Sequence, residues 1–305
     1  MLPPAPPFAV TGHLLSLIDP QDPLDPIRRQ FFPRQEERVR HPEDLEDPLG
    51  EAVAQAAPGL LHRYPDRVLL LAAGRCAAYC RHCFRRGLAG RASAAAGRAE
   101  ALEAAASYVE RHREVRELIL SGGDPLMRSD SGLRGLLARF RRGRPELVYR
   151  IHTRLPVVLP ERVTLELASL LAGFRPLRVV IQVNHPRELD PCCRQSVQRL
   201  LQAGIPVLNQ SVLLKGVNDS PQVLAELFRL QAEAGIRPYY LFQPDLAAGT
   251  SHLRPSLEEG RRLFEQVRRL CPPALLPRYV CDLPGGGGKV VLADPALGSL
   301  GSNVP

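Results

Sequence analysis

Three cysteines lie in one short stretch, where Cys76, Cys80 and Cys83 follow the spacing C-x3-C-x2-C. The stretch comes directly after an apolar run at 68–73, which predicts a buried strand. Three thiolates on one loop can ligate three irons of a [4Fe–4S] cluster and leave the fourth iron open to a small molecule. Structural zinc is the alternative, but it normally takes paired knuckles, and His82 or a distant cysteine would have to supply the fourth ligand. A disulfide is less favoured because the number of thiols is odd.

Lysine is rare in this chain. Of the 40 lysine and arginine residues, only Lys215 and Lys289 are lysine. A lysine in such a composition is a candidate for chemistry that arginine cannot perform, above all a Schiff base with an aldehyde. Lys289 is the stronger candidate, because it ends a four-glycine run that follows Asp282 and offers a hinge. Lys215 is expected to close a strand-to-helix turn.

The composition of the 305 residues is that of an ordinary globular protein, with 45% apolar and 24% charged residues. No apolar run approaches a membrane span, and the N-terminus does not resemble a secretory signal. Together with thiol chemistry this predicts a cytoplasmic protein. The net charge of +8 is compatible with nucleic-acid binding, but the basic residues are scattered and aromatic residues amount to 5%. The densest basic run, at 139–144, is expected to end a helix and face solvent.

The chain divides into three predicted parts. Residues 1–60, rich in Asp-Pro pairs, predict an irregular arm with short helices. Residues 61–293 alternate apolar runs with amphipathic stretches, which predicts a parallel α/β sheet in the form of a full or partial (β/α) barrel. Residues 294–305 are a short tail. The predicted helices lie near 95–112, 131–142, 160–173, 191–203, 220–234 and 256–270.

Polar residues gather where the predicted strands end, and the carboxyl ends of parallel strands share one mouth. Asp245 and Asp282 would bind a substrate ammonium there, and Arg85 would clamp a carboxylate; each aspartate could instead cap a helix. Arg63 and Arg67 could hold a phosphate, or they could lie in an exposed turn that pairs with a neighbouring aspartate.

The cysteine motif, with an aromatic residue before its last cysteine, resembles the signature of the radical S-adenosylmethionine (SAM) superfamily. The motifs Cys76–Arg86, Leu120–Leu126, Leu208–Asp219 and Pro284–Lys289 extend the likeness, so that nearly the whole chain resembles the lysine 2,3-aminomutase family. That resemblance implies a partial (β/α) barrel of the radical SAM type, which moves the α-amino group of L-lysine to Cβ. It also implies a [4Fe–4S] cluster, SAM and pyridoxal 5′-phosphate (PLP) as cofactors, and an electron donor of the flavodoxin or ferredoxin type.

The resemblance assigns roles by position. It implies that the three motif cysteines hold the cluster and that Lys289 holds PLP. The remaining residues fall into three groups, with the PLP phosphate on Arg63 and Arg67, SAM on Gly122, Gly123, Asp124 and Gln210, and the substrate on Arg85, Asp245 and Asp282. Glutamate-acting members lack the two aspartates, so this pair indicates a diamino acid.

Two departures from the family pattern affect the prediction. The chain ends sixteen residues after Lys289, and Ser220 stands where longer members have a zinc-binding cysteine. We therefore expect no interface zinc in any homo-oligomer. The short length and Cys83–Arg86 also resemble the relative that makes β-lysine for elongation factor P. The alternatives are a radical SAM aminomutase for another amino acid, and a non-enzymatic iron–sulfur or nucleic-acid-binding protein.

Overall fold

A ten-stranded sheet organises the computed structural model, which describes residues 7–86, 98–283 and 287–294. The strands follow one another in sequence order. They run parallel from β3 to β9, and the edges are antiparallel hairpins. Among the described residues β1 and β10 do not pair, so the sheet is a partial barrel, as predicted. The strands are β1 (Gln55–Ala57), β2 (Leu60–Tyr64), β3 (Arg67–Ala73), β4 (Glu117–Gly122), β5 (Val148–Thr153), β6 (Leu177–Ile181), β7 (Val207–Val212), β8 (Arg237–Phe242), β9 (Arg278–Leu283) and β10 (Gly288–Ala293).

Helices connect the parallel strands and cover the sheet. In α4, the Ser129 hydroxyl caps the first turn by accepting from Gly132 N at 3.1 Å. Apolar residues at helical spacing, from Leu133 to Phe140, then bury one face of this helix. The helices are α1 (Gly12–Leu17), α2 (Pro26–Phe31), α3 (Ala99–Arg111), α4 (Asp130–Gly143), α5 (Leu155–Val158), α6 (Leu165–Ala172), α7 (Pro191–Gln202), α8 (Pro221–Glu233) and α9 (Leu257–Leu270).

The sequence pattern located the core helices and missed the antiparallel edges. The six helices expected between 95 and 270 all form, whereas β1, β2 and β10 were not expected. The basic run at 139–144 was expected to end a helix and face solvent, and this expectation was wrong for its last residue. Arg144 is 1% exposed, because its guanidinium donates to the carbonyls of Val109, His112 and Val115. The division of the chain into an arm at 1–60, a core at 61–293 and a tail at 294–305 stays a prediction. Of the tail, the structure describes only Asp294.

The N-terminal segment packs over the mouth of the sheet. The Thr11 hydroxyl donates to Val158 O at 2.5 Å, and Leu45 forms a parallel bridge with Ala247. Buried Asp25 caps α2 and accepts from Arg187 at 2.8 Å. None of the helices within the described ranges has both the length and the apolar character needed to cross a membrane.

Two glycines let the end of β4 lie against the segment that leads into the cysteine loop. Gly123 N donates to Ala73 O at 2.7 Å, and Asp124 N donates to Arg75 O at 2.9 Å. A Cβ on Gly123 would lie 2.4 Å from Arg75 O, and one on Gly122 would lie 2.6 Å from Ala73 O. These neighbours are backbone atoms, so the motif needs glycine for packing whatever else it binds.

We predict that Gly123→Ala destabilises the protein by about 1–3 kcal/mol, because the backbone of Arg75 must move. Gly135→Ala is the matched control. Gly135 lies in α4 with no atom within 4 Å of an added Cβ, so alanine should be neutral or stabilising by up to about 1 kcal/mol. Thermal unfolding of both variants measures the difference. Equal melting temperatures would contradict this account.

Candidate functional site

The cysteine loop follows β3 and is fixed by the backbone of the N-terminal segment. Tyr79 N donates to Ala9 O at 3.1 Å, and Arg81 N donates to Gln30 O at 2.8 Å. Within the loop, Cys83 N donates to Cys80 O at 3.2 Å, which closes a turn between the last two cysteines. The loop conformation therefore depends on segments far away in sequence.

The three thiols are free and affect one another electrostatically. Burial raises the pKa of Cys76, and Asp124, Cys80 and Cys83 raise it further. Burial and Cys80 raise the pKa of Cys83 to about 11. Thiols in such surroundings ionise when a metal centre compensates their charge. Within the described part of the chain, the three sulfurs do not form a group whose ligand atoms all lie within 4.8 Å, as a single ion would favour. Three free thiols on one loop are the type of donor that an iron–sulfur cluster takes.

Three arginines of the loop pair with two carboxylates of the N-terminal segment. Glu37 accepts from both Arg81 and Arg86, and Glu51 accepts from Arg85 Nε at 2.9 Å. Burial alone would raise the pKa of Glu37, but the two guanidinium groups lower it below its ordinary value. Sequence reasoning singled out Arg85 and missed its partner Glu51.

The candidate SAM residues have structural roles in this molecule. Asp124 is 5% exposed, and its carboxylate accepts from Leu126 N at 3.0 Å, Thr153 Oγ1 at 2.7 Å and Arg154 N at 2.7 Å. These bonds tie the end of β4 to the end of β5 and occupy both carboxylate oxygens. Gln210 lies half-buried on β7, paired in register with Tyr240. The assignment of these residues to SAM stays a prediction.

The β9–β10 hairpin places Lys289 opposite Asp282. Lys289 Nζ donates to the two carboxylate oxygens of Asp282 at 2.8 and 3.1 Å, and it lies 5.0 Å from the centre of the Phe242 ring. Arg63 Nη2 lies 3.7 Å from Asp282 Oδ1. The residues preceding Lys289 at 284–286 lie outside the described residues. The candidate PLP lysine, one candidate substrate aspartate and one candidate phosphate arginine thus meet at one point.

Tyr64 joins this group, although sequence reasoning passed over it. Its hydroxyl is buried without a hydrogen-bond partner in the described structure, and an added Cβ on Gly288 would lie 3.7 Å from it. The guanidinium carbon of Arg67 lies 4.2 Å from the Tyr64 ring centre, and Arg67 also pairs with Asp66 at 3.0 Å. An unpartnered hydroxyl beside arginines suits a phosphate group.

Asp245 shares a charged environment with the same residues. Burial raises its pKa to about 7, with a further increase from Asp282 and an opposing decrease from Lys289, Arg85 and Arg63. The two candidate ammonium-binding carboxylates therefore repel each other. The arrangement can hold a cation between two carboxylates and a carboxylate at Arg85.

We predict that Asp245→Asn relieves a pH-dependent loss of stability. Because the folded pKa lies above the ordinary 3.8, folded protein keeps a proton that the unfolded chain releases, so stability falls as pH rises towards 7. The loss between pH 5 and pH 8 is about 2–3 kcal/mol. Denaturant unfolding measures the free energy of unfolding of both proteins at pH 5 and pH 8. The value for Asp245→Asn minus that for wild type should be larger at pH 8 than at pH 5. The same difference at both values would refute the raised pKa.

The sequence of the chain is similar to a known protein family and to characterised proteins. A sequence model of the radical SAM superfamily matches residues 71–228. The L-lysine 2,3-aminomutase of Clostridium subterminale is 43% identical over 92% of this chain and 68% of its own length. The putative L-lysine 2,3-aminomutase of Aquifex aeolicus is 41% identical over 94% of this chain and 77% of its own length. The glutamate 2,3-aminomutase of Clostridioides difficile is 33% identical over 97% of this chain and 70% of its own length.

Solved structures share the fold at low sequence identity. SuiB of Streptococcus suis, solved with S-adenosylmethionine bound, has a TM-score of 0.52 and 18% identity, and the match covers 67% of this chain and 47% of that one. This likeness concerns the architecture alone.

Proposed function

Since the chain belongs to the lysine 2,3-aminomutase family of the radical SAM superfamily, we propose that it moves the α-amino group of L-lysine to Cβ to give β-lysine. It is an isomerase, and its cofactors are a [4Fe–4S] cluster, SAM and PLP. When bound, the cluster and SAM supply the one-electron chemistry that removes hydrogen from Cβ, and PLP makes the α-nitrogen able to migrate.

The observation that carries the substrate assignment is the charge pattern around Asp245. The negative charge of Asp282 raises the pKa of Asp245, while the positive charges of Lys289, Arg85 and Arg63 lower it. A substrate with an ammonium at one end and a carboxylate at the other complements this pattern, with its ammonium beside Asp245 and Asp282 and its carboxylate on Arg85. Fixing both ends sets which Cβ hydrogen faces the reacting centre.

The proposed cofactor residues are those that the motif positions suggest, supported by the contacts around Lys289. Cys76, Cys80 and Cys83 would hold the cluster, and Gly122, Gly123, Asp124 and Gln210 are proposed for SAM. Lys289 would hold PLP, whose phosphate would lie near Arg63, Arg67 and Tyr64. In this proposal Lys289 Nζ leaves Asp282 for PLP, which frees that carboxylate to bind the substrate ammonium.

A second candidate substrate is another diamino acid. The glutamate-acting relative shows that the family accepts other amino acids, but a second substrate carboxylate would be repelled by Asp245 and Asp282. Reduction by a flavodoxin-type or ferredoxin-type donor and a homo-oligomer without interface zinc are further proposals. Ser220 stands at the N-cap of α8, where its hydroxyl bonds to Gln222.

We predict that anaerobically reconstituted protein with PLP, SAM, dithionite and L-lysine forms β-lysine and that Lys289→Ala abolishes it. Lys215→Ala is the matched control, because Lys215 lies in a cleft with Asp219 and Glu259 that shares no lining residue with this site. Mass-resolved chromatography reads the product, and iron content shows that the cluster is intact.

The outcomes separate the alternatives. SAM cleavage without β-lysine would move the assignment to another amino acid. Protein that holds a [4Fe–4S] cluster but cleaves no SAM would overturn the enzyme assignment. Full activity of Lys289→Ala would remove Lys289 from its proposed role.

We also predict that Glu51→Gln raises the KM for lysine by about tenfold, which corresponds to about 1.4 kcal/mol. Glu51 accepts from Nε and Nη2 of Arg85, while Nη1 donates to the Ser121 hydroxyl at 3.0 Å. Loss of the carboxylate should let the guanidinium rotate, with a smaller effect on kcat. Glu43→Gln, an arm residue whose side chain is 52% exposed, is the control. A lower KM would mean instead that Glu51 competes with the substrate for Arg85.

A further inference from the structure

Arg154 reaches the sulfur of one candidate cluster ligand. It follows β5 and caps α5, and its side chain is 7% exposed. Its Nη1 donates to Cys80 Sγ at 2.8 Å. The guanidinium carbon also lies 4.6 Å from the centre of the Phe31 ring, which contributes one wall of its pocket.

Two fully buried residues hold Arg154 in this position. Its Nη2 donates to Glu188 Oε1 at 2.6 Å and to Gln30 Oε1 at 2.5 Å. The second oxygen of Glu188 accepts from the backbone N–H groups of Asn184 and His185 at 2.5 and 2.9 Å. Gln30 also accepts from Asn184 Nδ2 at 3.0 Å. The guanidinium cannot turn away from Cys80 without leaving Glu188 as an unpaired buried charge, which is costly.

The guanidinium of Arg154 donates directly to the Cys80 sulfur, whereas the neighbouring imidazole of His82 has its Nε2 3.0 Å from the side-chain nitrogen of Gln182. The other ionisable groups around the loop include the thiols of Cys76 and Cys83, the guanidinium groups of Arg81, Arg85 and Arg86, and the carboxylate of Asp124. Glu37 pairs with Arg81 and Arg86.

We propose that Arg154 is a positioning residue that holds the Cys80 sulfur for the cluster and shifts the reduction potential of that cluster to more positive values. This rests on the proposed [4Fe–4S] site. A cationic donor at a ligating sulfur stabilises the negative charge that reduction adds, and hydrogen bonds to sulfur are a known means by which proteins set cluster potentials.

The test is the midpoint potential of the reconstituted cluster, measured by redox titration monitored by electron paramagnetic resonance, together with iron and sulfide per chain. Arg154→Gln removes the charge but strands Glu188, so the double variant Arg154→Gln/Glu188→Gln removes the pair together. The control is Arg150→Gln/Glu117→Gln, a similar part-buried pair joined at 3.0 Å on β5 and β4. We expect a more negative potential, or loss of iron from folded protein, in both Arg154 variants and wild-type values in the control.

Wild-type iron content and wild-type potential in the double variant would overturn the proposal, as would an equal shift in the control. These outcomes differ from failure of the proposed function, in which wild-type protein itself would hold no [4Fe–4S] cluster. A shift in Arg154→Gln that the double variant reverses would assign the effect to the stranded carboxylate and would also overturn it.

Discussion

The buried carboxylate of Glu37 holds together the parts that must meet around the cysteine loop. It accepts from Arg81 and Arg86, which lie 44 and 49 residues further along the chain. Its pKa stays low despite burial, so the contact is between charges over the ordinary pH range. If Glu37 were removed, two guanidinium groups would lose their counter-charge in a region shielded from water, which is strongly unfavourable.

The third arginine of the loop is also paired with a carboxylate of the N-terminal segment. Arg85 is paired by Glu51, so three loop guanidinium groups are met by two carboxylates of the N-terminal segment. The excess is positive beside thiols whose ionised form is negative. An anionic metal–thiolate centre would complete the charge balance of the loop, and the N-terminal segment would then be a structural component of the proposed centre.

Local patterns explain what could be predicted from the sequence. The run at 68–73 forms β3 because its apolar residues are buried between neighbouring elements on both sides. Helices such as α4 can be predicted from their N-cap residue and from the helical spacing of their apolar residues. Short β1 and β2 carry weak patterns at an antiparallel edge and were missed. The cysteine spacing and the scarcity of lysine predicted a site without showing its geometry, and the assignment of these residues stays a prediction. Arg154 was noted only as a polar residue after a predicted strand. The contacts of Glu51, Tyr64 and Arg154 could not be found this way, because they join segments that are distant in sequence, such as the 74 residues separating Cys80 and Arg154.

The protonation of Asp245 would link the empty and occupied states of the proposed substrate site. With a pKa of about 7, its carboxyl is partly protonated at neutral pH, because burial and Asp282 both oppose a second negative charge. A bound ammonium would favour the ionised form, so binding would release protons and would weaken as pH falls below 7. A second carboxylate on the substrate would oppose ionisation further. At the proposed site an ammonium would therefore bind more tightly as pH rises through 7, whereas a second carboxylate would face the full repulsion of Asp245 only above that pH.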